Sequence, residues 1–211
     1  MKLTKFEHAC LVAEIDGKKL VIDPGVFTIP LADVVHVVAI VITHEHPDHW
    51  TSDHLDQILR QNPGVKIYGP GGVVAAITGH DVIEVKDGDT VEVEPFTLAF
   101  YGEKHAIIHS SMPVIDNVGV MVNDTLFYPG DAFTIPPVPV DTLAVPAGAP
   151  WLKISEVIDY VTAVAPKRSF PTHEAVLSVI GQNLSNDRIG AATAAGGGSF
   201  SALEPGQSIE L

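Results

Sequence analysis

The sequence predicts a mixed α/β fold in which β-sheets pack between helices. Three observations point there. Short β-branched and apolar runs alternate with helical stretches along most of the chain. Hairpin signals open both halves, Asp16-Gly17 between two apolar runs in the first and Asn123-Asp124 in the second. Each hairpin then ends in a turn that carries a carboxylate, Asp23-Pro24-Gly25 and Pro129-Gly130-Asp131.

The first hairpin pairs Ala9–Ile15 with Lys19–Ile22, and His8 before it reads as a polar residue at a strand start that can also approach a site. Val37–Ile42 has the β-branched character of a fully buried strand. Thr51 or Ser52 caps a helix with Leu55, Ile58 and Leu59 on one face, stopped by Asn62-Pro63-Gly64. His54 on that helix reads as solvated. Val65–Tyr68 is a strand, Gly71-Gly72 opens a short helix through Ile77, and Val82–Val85 is a strand after His80, a surface residue. The glycine pair lacks the lysine and serine of a phosphate loop. Val91–Phe100 reads as one alternating strand after the Asp87-Gly88-Asp89 turn. In the second half, Val118–Val122 and Leu126–Tyr128 form a hairpin, and Leu143–Val145 is a short buried strand. A helix from about Ser155 carries Val157, Ile158, Val161 and Val164 and ends at Pro166, and Arg168–Phe170 is a strand. From Gly181 the chain turns polar and Gly/Ala-rich, with Gly196-Gly197-Gly198 a flexible loop and Gln207–Leu211 a closing edge strand.

Composition bounds the function. The 211 residues are 46% hydrophobic and 18% charged, as in a folded soluble protein, and show no linker, so residues 1–211 read as a single domain. The net charge of −14 repels phosphate backbones and argues against nucleic acid as a partner, while leaving small substrates open. Cys10 is the lone cysteine, which excludes an intramolecular disulfide and a thiolate metal site. The amino terminus lacks the apolar core of a signal peptide, and no apolar run reaches the roughly eighteen residues of a membrane span. The expectation is a cytoplasmic protein with no membrane partner and a small-molecule substrate.

The chemistry concentrates in Thr43-His44-Glu45-His46-Pro47-Asp48-His49, at the end of the Val37–Ile42 run. Imidazole and carboxylate together form a ligand set for zinc, manganese or iron. Residues two apart in an extended turn can point the same way, so His44 and His46 can clamp one ion while Asp48 and His49 aim at a second position. His105 or His109, then Asp131, then His173 follow later apolar runs, and a sheet would deliver them to the same edge. Asp131 can bridge two ions through its two oxygens. A chance cluster of surface histidines is the competing explanation, and the strand before and capped helix after the motif argue against it.

These residues resemble the signature of the metallo-β-lactamase superfamily, Thr-His-x-His-x-Asp-His, matched in full by Thr43 to His49. Asp23-Pro24-Gly25 is similar to the superfamily's preceding turn, Gly130-Asp131 to its bridging aspartate and His173 to its last strand-end histidine, a likeness running from about residue 3 to 175. The compact size and Gly102-Glu103-Lys104-His105-Ala106 look most similar to small lactonase-like hydrolases such as the ascorbate-phosphate lactonase. The resemblance implies an αββα sandwich of two mixed sheets flanked by helices. It also implies metal ligation by His44, His46, Asp48, His49, His105, Asp131 and His173, with Asp48 and Asp131 as the catalytic carboxylates. His105 directly ends its strand, and His109 remains the alternative. Two divalent ions, zinc before manganese or iron, would activate hydroxide for attack on a small ester, lactone or phosphodiester. A mononuclear iron oxidoreductase and a metal-binding protein without turnover are the alternatives. Asp23 reads as a carboxylate orienting a ligand histidine, or as a plain turn residue. Trp151 and Lys153 offer a stacking face and a cation to a substrate, or else a packing anchor and a solvated helix residue. The proline-rich Phe133–Pro139 segment can wall the pocket, and Cys10, in an apolar strand, is a poor nucleophile.

Overall fold

Side-chain alternation along the strands explains the layers. In the strand Lys18–Ile22, Leu20 and Ile22 face one apolar cluster while Val21 faces another, and in Val37–Val41 the residues Ala39 and Val41 oppose Ile40 in the same way. Strands that are apolar on both faces must be covered twice. The computed structural model describes residues 1–31 and 34–211 and shows that cover.

The first half contains β1 (Lys2–Lys5), β2 (Leu11–Ile15), β3 (Lys18–Ile22), β4 (Val37–Val41), α1 (Ser52–Gln61), β5 (Lys66–Gly69), α2 (Gly71–Ala76) and β6 (Val82–Glu84). The second contains β7 (Thr90–Val93), β8 (Phe96–Tyr101), β9 (Gly119–Val122), β10 (Leu126–Tyr128), β11 (Thr142–Pro146), α3 (Ile154–Val164), β12 (Arg168–Thr172), α4 (Val179–Ala195), β13 (Ser199–Phe200) and β14 (Ser208–Glu210). One sheet runs β14-β1-β2-β3-β4-β5-β6 and the other β13-β12-β11-β10-β9-β8-β7.

The central apolar cluster joins Leu3, Leu11, Leu20 and Tyr68 of one sheet to Phe96, Phe100, Val120 and Phe170 of the other. Leu55, Ile58 and Val73 of α1 and α2 cover the outer face of the first sheet. Val157, Tyr160, Val161 and Ile189 of α3 and α4 cover that of the second. This is the expected αββα sandwich. Each fully buried aliphatic or aromatic side chain contributes about 1.5–3 kcal/mol of transfer free energy, so both faces of both sheets have a reason to stay covered.

Topology sets where the loops meet. β3 pairs parallel with β4, and β10, β11 and β12 run parallel, so their carboxy-terminal ends share an edge in each sheet. β1 and β3 are both antiparallel to β2, which puts the turn after β1 on that edge as well. β8 reaches it in the same manner through β9. Asp23, His44, His105, Asp131 and His173 all follow such ends, and so does His8.

Several expectations need correction. Val91–Phe100 is not one strand but the β7–β8 hairpin, because Glu94-Pro95 breaks the ladder and Val93 pairs back onto Phe96. The Gly/Ala-rich tail holds the 17-residue helix α4, whose apolar residues are scattered around its circumference rather than striped on one face. Its cap is local, with the Ser178 hydroxyl accepting from Gly181 N at 3.2 Å. β1 is a four-residue strand too short to announce itself. Its Lys5 is fully buried and pairs with Glu174, tying the first strand to the residue after His173. His54 is buried rather than solvated, its Nδ1 bonded to the Pro24 carbonyl at 2.9 Å. Thr51 caps α1 through its hydroxyl, accepting from His54 N at 3.2 Å. Among the described residues, no helix is long and apolar enough to cross a membrane.

Candidate metal centre

The site begins with a turn that holds a strand end in place. Asp23, in a left-handed conformation (φ +47°) and fully buried, accepts from Thr43 N at 2.8 Å, Thr43 Oγ1 at 2.6 Å and His49 Nδ1 at 2.7 Å. The β3 and β4 ends are thereby fastened together, and the His49 ring is fixed with Nε2 facing outward from Asp23. Gly25 lets the two loops touch: a Cβ there would lie 1.7 Å from the Asp48 carbonyl oxygen. Gly25→Ala is therefore expected to displace Asp48 and His49, lowering stability by about 1–3 kcal/mol or more and weakening metal uptake, as thermal melts and metal titration would show.

In the second half Asn117 does similar work. Its Oδ1 accepts from Asp131 N at 3.0 Å and its Nδ2 donates to the Pro129 carbonyl at 2.9 Å, clamping the Gly130-Asp131 turn. Gly130 adopts φ +64° against Asn117 and Thr43, where a side chain would collide. His173 Nδ1 donates to the Gly148 carbonyl at 2.6 Å, and His105 Nδ1 to the Ala106 carbonyl. A carbonyl oxygen only accepts, so Nδ1 carries the proton in both rings and Nε2 is turned to the site.

Two groups result. His44, His46, His105 and Asp131 form one; His8, Asp48, His49 and His173 form the other; the ligand atoms in each lie within 4.8 Å of one another. Asp131 reaches across both. Its Oδ1 lies 3.2 Å from His49 Nε2, and its Oδ2 lies 3.0 Å from His173 Nε2 and 3.4 Å from His105 Nε2. His44 Nε2 and His46 Nδ1 are 3.1 Å apart. The Nε2 atoms of His49, His105 and His173 and Asp131 Oδ1 are buried without an aligned hydrogen-bond partner. Orphaned buried donors and acceptors are rare and need a reason. Imidazole nitrogens and a carboxylate oxygen converging in this way fit divalent cations.

Charge in the cluster is coupled. Burial and the neighbouring His49 hold His44 well below the usual imidazole range. Burial would lower His49 too, but Asp131 and Asp23 outweigh it and raise it well above that range. His173 is lifted to about 9, Asp131 again overcoming burial. Asp131 is held well below the carboxylate range, the burial penalty being outweighed by His49 and His173. A divalent cation bound here would take the place of those ring protons, since the same carboxylates would face either kind of positive charge.

A family model described as "Beta-lactamase superfamily domain" matches residues 2–173. The chain belongs to the metallo-β-lactamase superfamily. Protein Rv0786c of Mycobacterium tuberculosis is 40% identical over 183 residues, covering 84% of this chain and 86% of that protein. A UPF0173 metal-dependent hydrolase of Metallosphaera sedula is 28% identical over 138 residues, 59% of this chain and 58% of that one. The structure of Igni18, described as a novel metallo hydrolase from Ignicoccus hospitalis KIN4/I, shares the fold with a TM-score of 0.75 at 21% identity, covering 99% and 97% of the two chains.

Within this metallo-β-lactamase fold the structure places the sequence-derived residues as follows. His44, His46, Asp48, His49, His105, Asp131 and His173 all converge. His109 lies on the exposed β8–β9 loop, bonded to Ser111, in neither group. Trp151 is buried and turns its indole edge to the site, donating to Asp131 Oδ2 at 2.9 Å, while Phe133 packs edge-on against it. Lys153 is exposed at the start of α3. Cys10 is buried, and burial pushes its thiol far above the usual range, so it has no nucleophilic character. Sequence reading missed Asn117, which lies outside every motif. It gave His8 little weight, although a strand before the first hairpin would have placed His8 on the ligand edge.

Proposed function

We propose that this chain is a hydrolase that holds two divalent ions, zinc foremost, and cleaves a small carboxylic ester or lactone with an apolar body. The observation that carries the reading is Asp131, whose two oxygens face ligand nitrogens of both groups. The Metallosphaera sedula relative described as a metal-dependent hydrolase supports the reaction class. His44, His46 and His105 would hold one ion, Asp48, His49 and His173 the other, with Asp131 shared. When bound, such ions lower the pKa of water from about 15.7 to about 7 and act as Lewis acids.

The protein's own groups do the rest. Asp23 and the Ala106 and Gly148 carbonyls hold the ligand rings at fixed angles. Trp151 and Phe133 wall the Asp131 side and keep bulk water from it. Asp48 has a side chain 22% exposed, so it is the carboxylate of the cluster that substrate can reach. Burial would raise it, but hydrogen bonds with His173 and His8 outweigh that and hold it well below the usual carboxylate range, so it stays ionised and would serve the ion as an anionic ligand.

Exposed apolar side chains support the substrate class. Phe27 and Ile29 follow β3, Ile107 and Met112 follow β8 and Ile135 follows β10, all on loops after ligand-edge strand ends, and Ile180 lies in the first turn of α4 after β12. Side chains of this kind after ligand-edge strand ends offer apolar contacts to a substrate, and together with a net charge of −14 they favour an uncharged apolar substrate over a phosphodiester. The test joins metal analysis of protein purified without added metal to hydrolysis of straight-chain 4-nitrophenyl esters and lactones. Two ions per chain are expected, with activity lost on chelation and restored by zinc. kcat/KM should rise with acyl length by up to about fourfold per methylene, the limit set by about 0.8 kcal/mol for full burial. A single bound iron with no hydrolysis would overturn the reading in favour of an oxidoreductase.

A further inference from the structure

His8 is fully buried, sits in the turn between β1 and β2, and holds a left-handed backbone conformation at φ +62°. A non-glycine residue in that region carries strain that its surroundings must overcome, and such residues gather at functional sites. Its surroundings are the metal centre. The His8 carbonyl accepts from His173 N at 2.8 Å, its ring lies 3.9 Å from that of His173 between centroids, and Phe27 packs edge-on against its other side at 5.0 Å.

Both ring nitrogens are engaged. Ala175 N donates to Nδ1 at 3.3 Å, and Nε2 lies 3.2 Å from Asp48 Oδ2. A nitrogen that accepts a backbone N–H carries no proton, so the proton of the neutral ring is on Nε2 and points at the carboxylate. For Nε2 to bind an ion directly, the proton would have to move to Nδ1, where it would face the Ala175 N–H. The ring is therefore set as a donor to Asp48. That same oxygen lies 3.4 Å from His173 Nε2 and 4.0 Å from His49 Nε2. With one lone pair of Oδ2 committed to His8, the other is left for an ion shared with His49 and His173.

We propose that His8 is a positioning residue: by donating from Nε2 to Asp48 Oδ2 it aims that carboxylate at the ion held with His49 and His173, without ligating the ion itself. The proposal rests on the two-ion reading above and adds a residue outside the Thr43–His49 motif to the second site. The hydrogen bond, rather than the imidazole, is the required feature, and a glutamine amide can supply the same donor.

Zinc and cobalt(II) titrations of the intact chain, with metal content counted at saturation, test this in the parent, His8→Ala and His8→Gln. In His8→Ala one of the two binding steps, that of the ion held with His49 and His173, is expected to lose about 10–100-fold in affinity, as for other groups that orient a ligand, while the other step is unchanged. His8→Gln should recover most of that loss, and its cobalt(II) absorption bands should keep the parent's positions because the ligand set is the same. Parent affinity in His8→Ala overturns the proposal. So does a His8→Gln protein as weak as His8→Ala, or one with shifted cobalt bands, since either would make the ring a ligand or a packing element. A parent that takes up fewer than two ions overturns the two-ion reading and this one with it, whereas two ions in the parent with no change in the variants removes only the role of His8. If His8→Ala does not fold, the His8→Gln affinity and spectrum decide alone.

Discussion

Asp131→Asn is expected to leave a folded protein that retains at most one tightly bound ion and hydrolyses its substrate at least about 10²-fold more slowly, a floor taken from the 10–100-fold lost when a group merely supporting a metal ligand is removed. The reason lies in position. Among the described residues Asp131 belongs to one candidate ligand group while lying 3.0 Å from His173 and 3.2 Å from His49 of the other. Asparagine keeps the shape, the Asn117 clamp on the backbone and the packing under Trp151. It replaces one oxygen with an NH₂ that has no lone pair for an ion, so it cannot bridge. With the NH₂ at the Oδ1 position the His49 side loses its acceptor, and with the NH₂ at the Oδ2 position His105 and His173 lose theirs. The substitution also removes the negative charge that raises His49 and His173. Metal content and kcat/KM measured on the same preparation check the expectation. Two ions retained with more than a tenth of parental activity would remove Asp131 from the bridging role and with it the main support for a two-ion mechanism.

Much of the site is legible in the sequence for a physical reason. Imidazoles and carboxylates directly after β-branched runs have few structural uses, and a sheet sends parallel strand ends to one edge, so Thr43–His49, Gly130-Asp131 and His173 could be linked without coordinates. The layers were legible too, because Leu20-Val21-Ile22 and Ala39-Ile40-Val41 are apolar on both faces. What stayed hidden depends on through-space partners or on weak local signals. Asn117 acts through a turn fourteen residues away and carries no pattern of its own. His8 belongs to the edge only because the four-residue β1 pairs with both β2 and β14, the latter more than two hundred residues distant. α4 lacks an apolar stripe, and its helical state rests on alanine-rich propensity and the Ser178 cap. The sequence offers Trp151 as a stacking face or a packing anchor; the structure buries it against Phe133 and also uses its N–H, which no sequence pattern encodes.

Replacing Asp23 separates support of the fold from support of the metal. Asp23→Ala removes the buried carboxylate that accepts from Thr43 N, Thr43 Oγ1 and His49 Nδ1 at 2.8, 2.6 and 2.7 Å. It leaves the Thr43 hydroxyl only His44 Nδ1 at 3.1 Å and a long 3.4 Å approach to His49 Nδ1. Removing one partner of a buried charged network destabilises by about 3–5 kcal/mol. For a chain of this size each kcal/mol moves the midpoint about 2–4 °C, so a fall of about 6 °C or more is expected in the thermal midpoint of the metal-free protein. Asp23→Asn is the more informative change. Its oxygen can still accept from Thr43 N, and the Thr43 hydroxyl can rotate to accept from the amide. His49 cannot adapt without harm: facing an NH₂, its Nδ1 becomes the acceptor and the ring proton moves to Nε2. That nitrogen is the one aimed at the ion, so the wrong tautomer blocks ligation while the ring stays in place. Asp23→Asn should therefore melt closer to the parent than Asp23→Ala does, yet bind the second ion about 10–100-fold more weakly. Calorimetry paired with metal titration reads both quantities. An Asp23→Asn protein with the parent's affinity for two ions would mean that His49 takes its tautomer from something other than Asp23, and the turn before the motif would reduce to a structural fastening.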